Sequence, residues 1–248
     1  MVRCMLFSTR ALISTKDSGM DRHVGPNEWL SLSLAFVGGY GDAAGFVIAK
    51  TFTGHVTGSL VLATIGFATH DWRATLGHAS AVLFFLAGIP LSVLVDRTLA
   101  ERTFLRLLPT VLLVEIVLIG TAYLTSISHA VRGKEIFVIC MSLALGLQNG
   151  GFRRTGGISV HTTYLTGTIT TLIATQMERG RTQVVAIPAA APDAKVRTSY
   201  GIWIAFVVGS GAGAAMALRF GEAGILGAAL ILLAVIFGGP LAERRSTS

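Results

Sequence analysis

The spacing between charges constrains this chain more than any other feature. Runs free of Asp, Glu, Lys and Arg cover 51–70, 74–95, 136–152, 155–177, 198–218 and 223–242, and two more, 29–49 and 107–131, are each broken by a single acid, Asp42 and Glu115. A helix crossing the hydrocarbon layer of a membrane needs about 20 apolar residues. The runs therefore predict eight membrane segments, at 29–49, 53–70, 75–95, 107–128, 135–153, 156–177, 198–218 and 223–241. Composition points the same way: 52% of the 248 residues are hydrophobic, 13% are charged and the mean hydropathy is +0.67, whereas soluble domains carry about 25% charged residues. The expected fold is all-α, a polytopic transmembrane helical bundle.

A net charge of +7 would suggest nucleic acid in a soluble protein. Here the basic residues sit mostly at the ends of apolar runs, where the positive-inside bias places them, so nucleic acid is excluded as a partner and membrane lipid is expected. With eight full crossings and a cytoplasmic N-terminus, thirteen Lys and Arg fall inside and seven outside. This predicts an inner-membrane protein with both termini in the cytoplasm. Residues 1–28 lack an apolar core long enough for a signal peptide and read as a mostly disordered cytoplasmic tail; 242–248 read as a second cytoplasmic tail. The one long connection, 178–197, has the proline, alanine and charge content of a cytoplasmic loop. Two cysteines, Cys4 and Cys140, support neither a disulfide framework nor a thiolate metal cluster.

Two polar stretches interrupt the apolar text, "GYGDAAGFVIAKTFTGHVTG" at 39–58 and "QNGGFRRTGGISVHTTYLTG" at 148–167. They share one pattern: Gly39, Asp42, Thr53, Thr57 and Gly58 answer to Gly146, Asn149, Thr162, Thr166 and Gly167, the second gap being two residues longer. Each copy spans the end of one apolar segment and the start of the next, so the chain reads as two repeated halves, 29–128 and 135–241. Four crossings per half would give repeats of one orientation. If the Thr-Gly segments only half-penetrate, six spans remain and the repeats are inverted. The charge count favours the first layout weakly, and both bring the two motifs to the interface between halves, where transporter sites commonly lie.

At "GYGDAAGF", "FTGHVTG" and "QNGGFRRTGGISVHTTYLTGT" the sequence resembles the YoaK-like family of bacterial inner-membrane proteins, over about 30–240. The resemblance implies a polytopic helical membrane protein of six or more spans and carries no assigned reaction. Where the family pattern has Asn after the first Thr-Gly, this chain has Ser59.

The candidate site residues follow from the cost of polar groups in lipid, about 2.5–3.5 kcal/mol for a charge at the bilayer centre on insertion scales. Asp42 lies inside the cluster Gly38, Gly39, Gly41 and Gly45. It reads as a coupling carboxylate or substrate ligand, or as an interfacial acid paired with Lys50. Glu115 has apolar neighbours on both sides, so its ionised form would be poorly solvated; it reads as a proton-coupling group or as a buried hydrogen-bonding one. Gln148, Asn149, Arg153 and Arg154 close the fifth segment, and the arginines beside the start of the sixth suit a carboxylate or phosphate, or serve as snorkelling anchors. Thr57, Tyr164 and Thr166, with Thr53 and Ser59, would line a polar path or pack helices. His55 and His161 lack the spacing of a metal site, and no nucleophile elbow, P-loop or dinucleotide fingerprint occurs. "GSGAGAA" at 209–215 reads as close helix packing.

The function expected is a transporter or permease for a small polar, anionic-leaning solute, without cofactor or metal and not an enzyme. Homo-oligomerisation is left open. A channel, a membrane-embedded enzyme acting on lipid or isoprenoid phosphates, and a non-catalytic membrane scaffold are the alternatives.

Overall fold

A computed structural model describes residues 26–99, 107–128, 132–152 and 192–246. All the regular structure among them is helical: α1 (Pro26–Ala49), α2 (Val56–Ala68), α3 (Trp72–Leu99), α4 (Leu107–Ile127), α5 (Gly133–Phe152), α6 (Pro192–Phe220), a short 3-10 turn (Gly221–Ile225) and α7 (Leu226–Ser246). Stretches long and apolar enough to cross a membrane are Glu28–Ala49, Trp72–Val95, Thr110–Ile127 and Thr198–Gly238, the last running through two helices and the turn between them. The chain is a helical membrane protein. Large apolar side chains such as Leu76, Leu83, Val117, Leu218, Leu230 and Phe237 stand exposed on its outer surface, as expected where lipid replaces water as the solvent.

Close contacts fix the direction of each helix. Along α1 and α6, Glu28 meets Thr198 through a 3.0 Å hydrogen bond, Leu32 lies against Gly201, Phe36 against Gly209 and Tyr40 against Gly213. Numbers rise together, so the two are parallel. The same holds for α3 and α5, where Phe85 lies against Gly146, and Ile89 and Ser92 against Gly150. By contrast, Gln148 reaches Leu34 while Met141 and Leu145 flank Gly41, so α1 and α5 are antiparallel. Repeats of one orientation would need these two helices parallel.

These parallel pairs rest on glycine. A Cβ at Gly39 would overlap the Phe206 carbonyl, one at Gly209 the Phe36 carbonyl, one at Gly146 the Phe85 carbonyl, and one at Gly88 would come within 2.7 Å of the Leu143 carbonyl. Backbones approach this closely only where side chains are absent, the usual means of joining helices in lipid, where burial of apolar surface gives no drive. Gly209 and Gly213 of the "GSGAGAA" run thus do pack as the sequence led one to expect.

The second segment departs from a full crossing. Its helix α2 has 13 residues, about 20 Å at 1.5 Å per residue, against the roughly 30 Å of hydrocarbon. It forms a hairpin with α3 through the turn at 69–71, with Gly66 against Thr75. Being antiparallel to α3, it points the same way as α1. The chain therefore turns back after α1, starts again inside the bundle and leaves towards the side from which it came. Of the two layouts open in the sequence, the half-penetrating one describes this segment; 156–177, read in the sequence as its counterpart, lies outside the described residues.

Candidate functional site

The return into the bundle begins at Lys50, whose φ of 58° is left-handed and whose N–H still bonds the Phe46 carbonyl at 2.8 Å. From there 51–54 runs as non-helical backbone back along the end of α1. Phe52 stacks on Phe46 with ring centroids 4.4 Å apart. Thr53 then sits over Gly45, where a Cβ would stand 2.9 Å from its Oγ1.

Non-helical backbone at this depth must find partners inside the protein, and Asp42 supplies them. Its Oδ1 accepts the N–H groups of Thr53 at 2.9 Å and Gly54 at 2.8 Å. The carboxylate is 4% exposed. On the other side of the loop, Ser59 Oγ donates to the Phe52 carbonyl at 2.7 Å. A cap of this kind, one acceptor taking two adjacent N–H groups, is what a helix start or tight loop ordinarily gains from Asp; here it acts across 11 and 12 residues. Lys50, offered by the sequence as a partner for Asp42, is exposed, and Asp42 takes its hydrogen bonds from the loop backbone instead.

Gly54 brings the loop against α5: a Cβ there would stand 3.0 Å from Leu145 Cδ1 and 3.7 Å from Asp42 Oδ1. One turn further on, Gln148 is 6% exposed and its Nε2 donates to the Leu34 carbonyl at 3.0 Å. Asn149, 9% exposed, donates to the Leu145 carbonyl at 3.2 Å. Asp42 and the two amides thus stand around one α1–α5 crossing with Leu145 between them, Asp42 towards one side of the membrane and Gln148 and Asn149 towards the other.

The remaining expected residues divide. Glu115 is fully buried on α4, while Thr57 is exposed on the first turn of α2. Arg153, Arg154, Tyr164, Thr166 and His161 lie outside the described residues. His55 precedes α2 without capping it and tilts against Phe52, 5.7 Å between rings. Several buried polar atoms have no hydrogen-bond partner among the described residues: Thr53 Oγ1, His78 Nδ1, Ser142 Oγ, Ser126 Oγ and both oxygens of Glu115. Among the described residues no group of three or more His, Cys, Asp or Glu comes together. Ser142 and the Leu34 carbonyl carry no motif and could not have been picked out of the sequence. The roles of Thr53 and Ser59 follow from the path of the backbone.

A family model described as a protein of unknown function (DUF1275) matches residues 30–238. The UPF0700 transmembrane protein YoaK of Bacillus subtilis (strain 168) is 24% identical over 148 residues, covering 59% of this chain. The match spans 65% of that relative's length, just under two thirds. No solved structure matches.

Proposed function

The chain belongs to the DUF1275 family, and we propose that it is a permease for a small polar, anionic-leaning solute, with its site where the two halves of the bundle cross. The observation that carries this reading is the loop 50–55, a non-helical polar segment at membrane depth, held by Asp42 and pressed against α5. Interrupted segments of this kind, placed between inverted repeats, are how secondary transporters expose backbone and hydroxyl groups to a solute.

Contact positions support an inverted repeat. A shift of 107 positions takes Gly39 to Gly146, Phe36 to Leu143, Gly41 to Gln148 and Leu34 to Met141; a shift of 121 takes Phe85 to Phe206 and Gly88 to Gly209. Under these shifts the contact of Gly39 with Phe206 becomes that of Gly146 with Phe85, and Phe36 with Gly209 becomes Leu143 with Gly88. The Gln148–Leu34 contact becomes the Gly41–Met141 contact. Each half lends its first long helix to the other half's third segment, giving two glycine-packed pairs, α1 with α6 and α5 with α3. They meet at the α1–α5 crossing, and alternating access would be a rocking of one pair against the other.

Charge supports the matching six-span layout. With the N-terminus inside, Lys50, Arg73, Arg132, Lys134 and Arg219 are the five basic residues outside, and the other fifteen are inside. Fifteen against five is a stronger positive-inside bias than the thirteen against seven of eight crossings, so the count favours six spans and corrects the preference for eight drawn from the sequence. It keeps both termini in the cytoplasm of an inner-membrane protein and puts Arg153 and Arg154 on the favoured side. There the two arginines, four and five positions after Asn149 in the sequence, would meet an anionic solute from the cytoplasm.

Uptake of radiolabelled carboxylates, phosphate, amino acids and sugars into proteoliposomes tests the reading. We expect one class to accumulate above protein-free vesicles and to be lost in Gln148→Leu and Arg153→Ala. Inertness towards the whole panel together with turnover of lipid phosphate would replace the permease with an enzyme; electrically driven flux that never saturates would replace it with a channel.

A further inference from the structure

The two membrane acids are held in opposite ways. Asp42 Oδ1 is committed to two backbone N–H groups. Glu115 is 0% exposed, sits on the same face of α4 as the buried Leu112 and Ile119, and has no hydrogen-bond partner among the described residues for either carboxyl oxygen. Buried polar groups nearly always find partners, and in lipid the exceptions mark functional positions. A structural role would have been served as well by leucine.

Its depth is that of the candidate site. α4 and α5 form an antiparallel pair, Thr125 against Gly133 and Val111 against Gly151, which sets Glu115 level with about Leu143–Leu147, beside the α1–α5 crossing. The elements packed on α4 are α5, α7, the 3-10 turn and α3. Their titratable groups with described side chains are Cys140, Lys134 and Glu135 on α5, Glu222 on the turn, and Arg73 and His78 on α3. None of these hydrogen-bonds to Glu115. A sodium ion or other hard cation would need several converging oxygens, whereas a proton needs one carboxyl.

Resting on the permease reading, we infer that Glu115 is its proton-binding site, taking up one proton to pass from carboxylate to neutral carboxyl and returning it when movement of α5 against α4 admits water, while Asp42 serves as the fixed anchor of the loop. The coupling ion is then the proton.

Infrared difference spectroscopy on the full chain in phosphatidylethanolamine–phosphatidylglycerol vesicles tests this with the proton as the probe. A step from acid to alkaline pH should remove a protonated-carboxyl C=O band that also shifts on exchange into D2O. That band should be missing in Glu115→Gln, displaced but present in Glu115→Asp, and untouched in Glu135→Gln, whose acid is exposed. If Glu115→Gln removes no titrating band, or the band it removes neither exchanges nor responds to pH, the inference is overturned. Since the readout needs no solute, its failure leaves the uptake result standing, and failure of uptake leaves this result standing.

Discussion

Asp42 Oδ1 accepts the N–H of Gly54 at 2.8 Å, and that of Thr53 at 2.9 Å, so one carboxylate oxygen fixes where the chain stops re-entering the bundle and α2 begins. Removing the acceptor leaves two buried donors unmet, at about 1–3 kcal/mol for each. Asp42→Ala should therefore lower thermal stability in detergent by several degrees. Asp42→Asn keeps an oxygen in place and should lose much less. Equal losses would mean that the negative charge, and not the acceptor, is what the loop requires.

The glycine contacts predict a position-specific pattern. Gly39→Ala and Gly146→Ala each drive a methyl into a facing carbonyl, of Phe206 and of Phe85, and should each cost about 1–3 kcal/mol by overpacking. Gly120→Ala and Gly211→Ala meet nothing within 4 Å and should be neutral or slightly stabilising, since glycine is a poor helix former. Unfolding midpoints of the four variants check this, and similar losses at all four sites would contradict the close crossings.

Tyr40 ties α1 to the turn between α6 and α7, its hydroxyl donating to the Gly224 carbonyl at 2.5 Å. Tyr40→Phe deletes that bond with little change of shape and should cost about 1 kcal/mol. Tyr40→Ala should cost about 3–5 kcal/mol through the cavity left in the core. Thermal unfolding of both variants measures the difference.

The parallel run of α1 and α6 is open to cross-linking. Glu28 Oε1 and Thr198 Oγ1 lie 3.0 Å apart, in the first turn of α1 and the second turn of α6. In a background with Cys4 and Cys140 changed to serine, Glu28→Cys with Thr198→Cys should join under mild oxidation or with a short bifunctional reagent. Pairing Glu28→Cys with Arg219→Cys, at the far end of α6, should give no product.

Much of this architecture is written in the spacing of charges. Charge-free runs locate the long helices to within a few residues: 29–49 against Pro26–Ala49, 75–95 against Trp72–Leu99, 135–153 against Gly133–Phe152. Gly209 and Gly213 are recognisable as a packing seam because small residues at four-residue spacing have few other uses in a membrane helix. The path of the second segment was not recoverable in the same way. Hydropathy records how apolar 53–70 is but not which way it runs, and the half-length of α2 follows from a hydrogen bond between Asp42 and a backbone 11 residues on. Sequence marks both Asp42 and Glu115 as lone acids in apolar text, the first among glycines and the second among apolar neighbours, and allows a coupling role for each. Only the fold separates a carboxyl group with two donors from one with none among the described residues.

The re-entry of α2 is the hinge of the whole account, and side-specific labelling tests it most directly. In right-side-out vesicles of the cysteine-free chain, Lys50→Cys and Asp71→Cys bracket the segment on exposed positions. A membrane-impermeant maleimide should label both from the same face, with Lys195→Cys reached from the opposite one. Labelling of Lys50→Cys and Asp71→Cys from opposite faces would make α2 a full crossing and contradict the half-penetrating loop, the inverted repeat and the site built upon them.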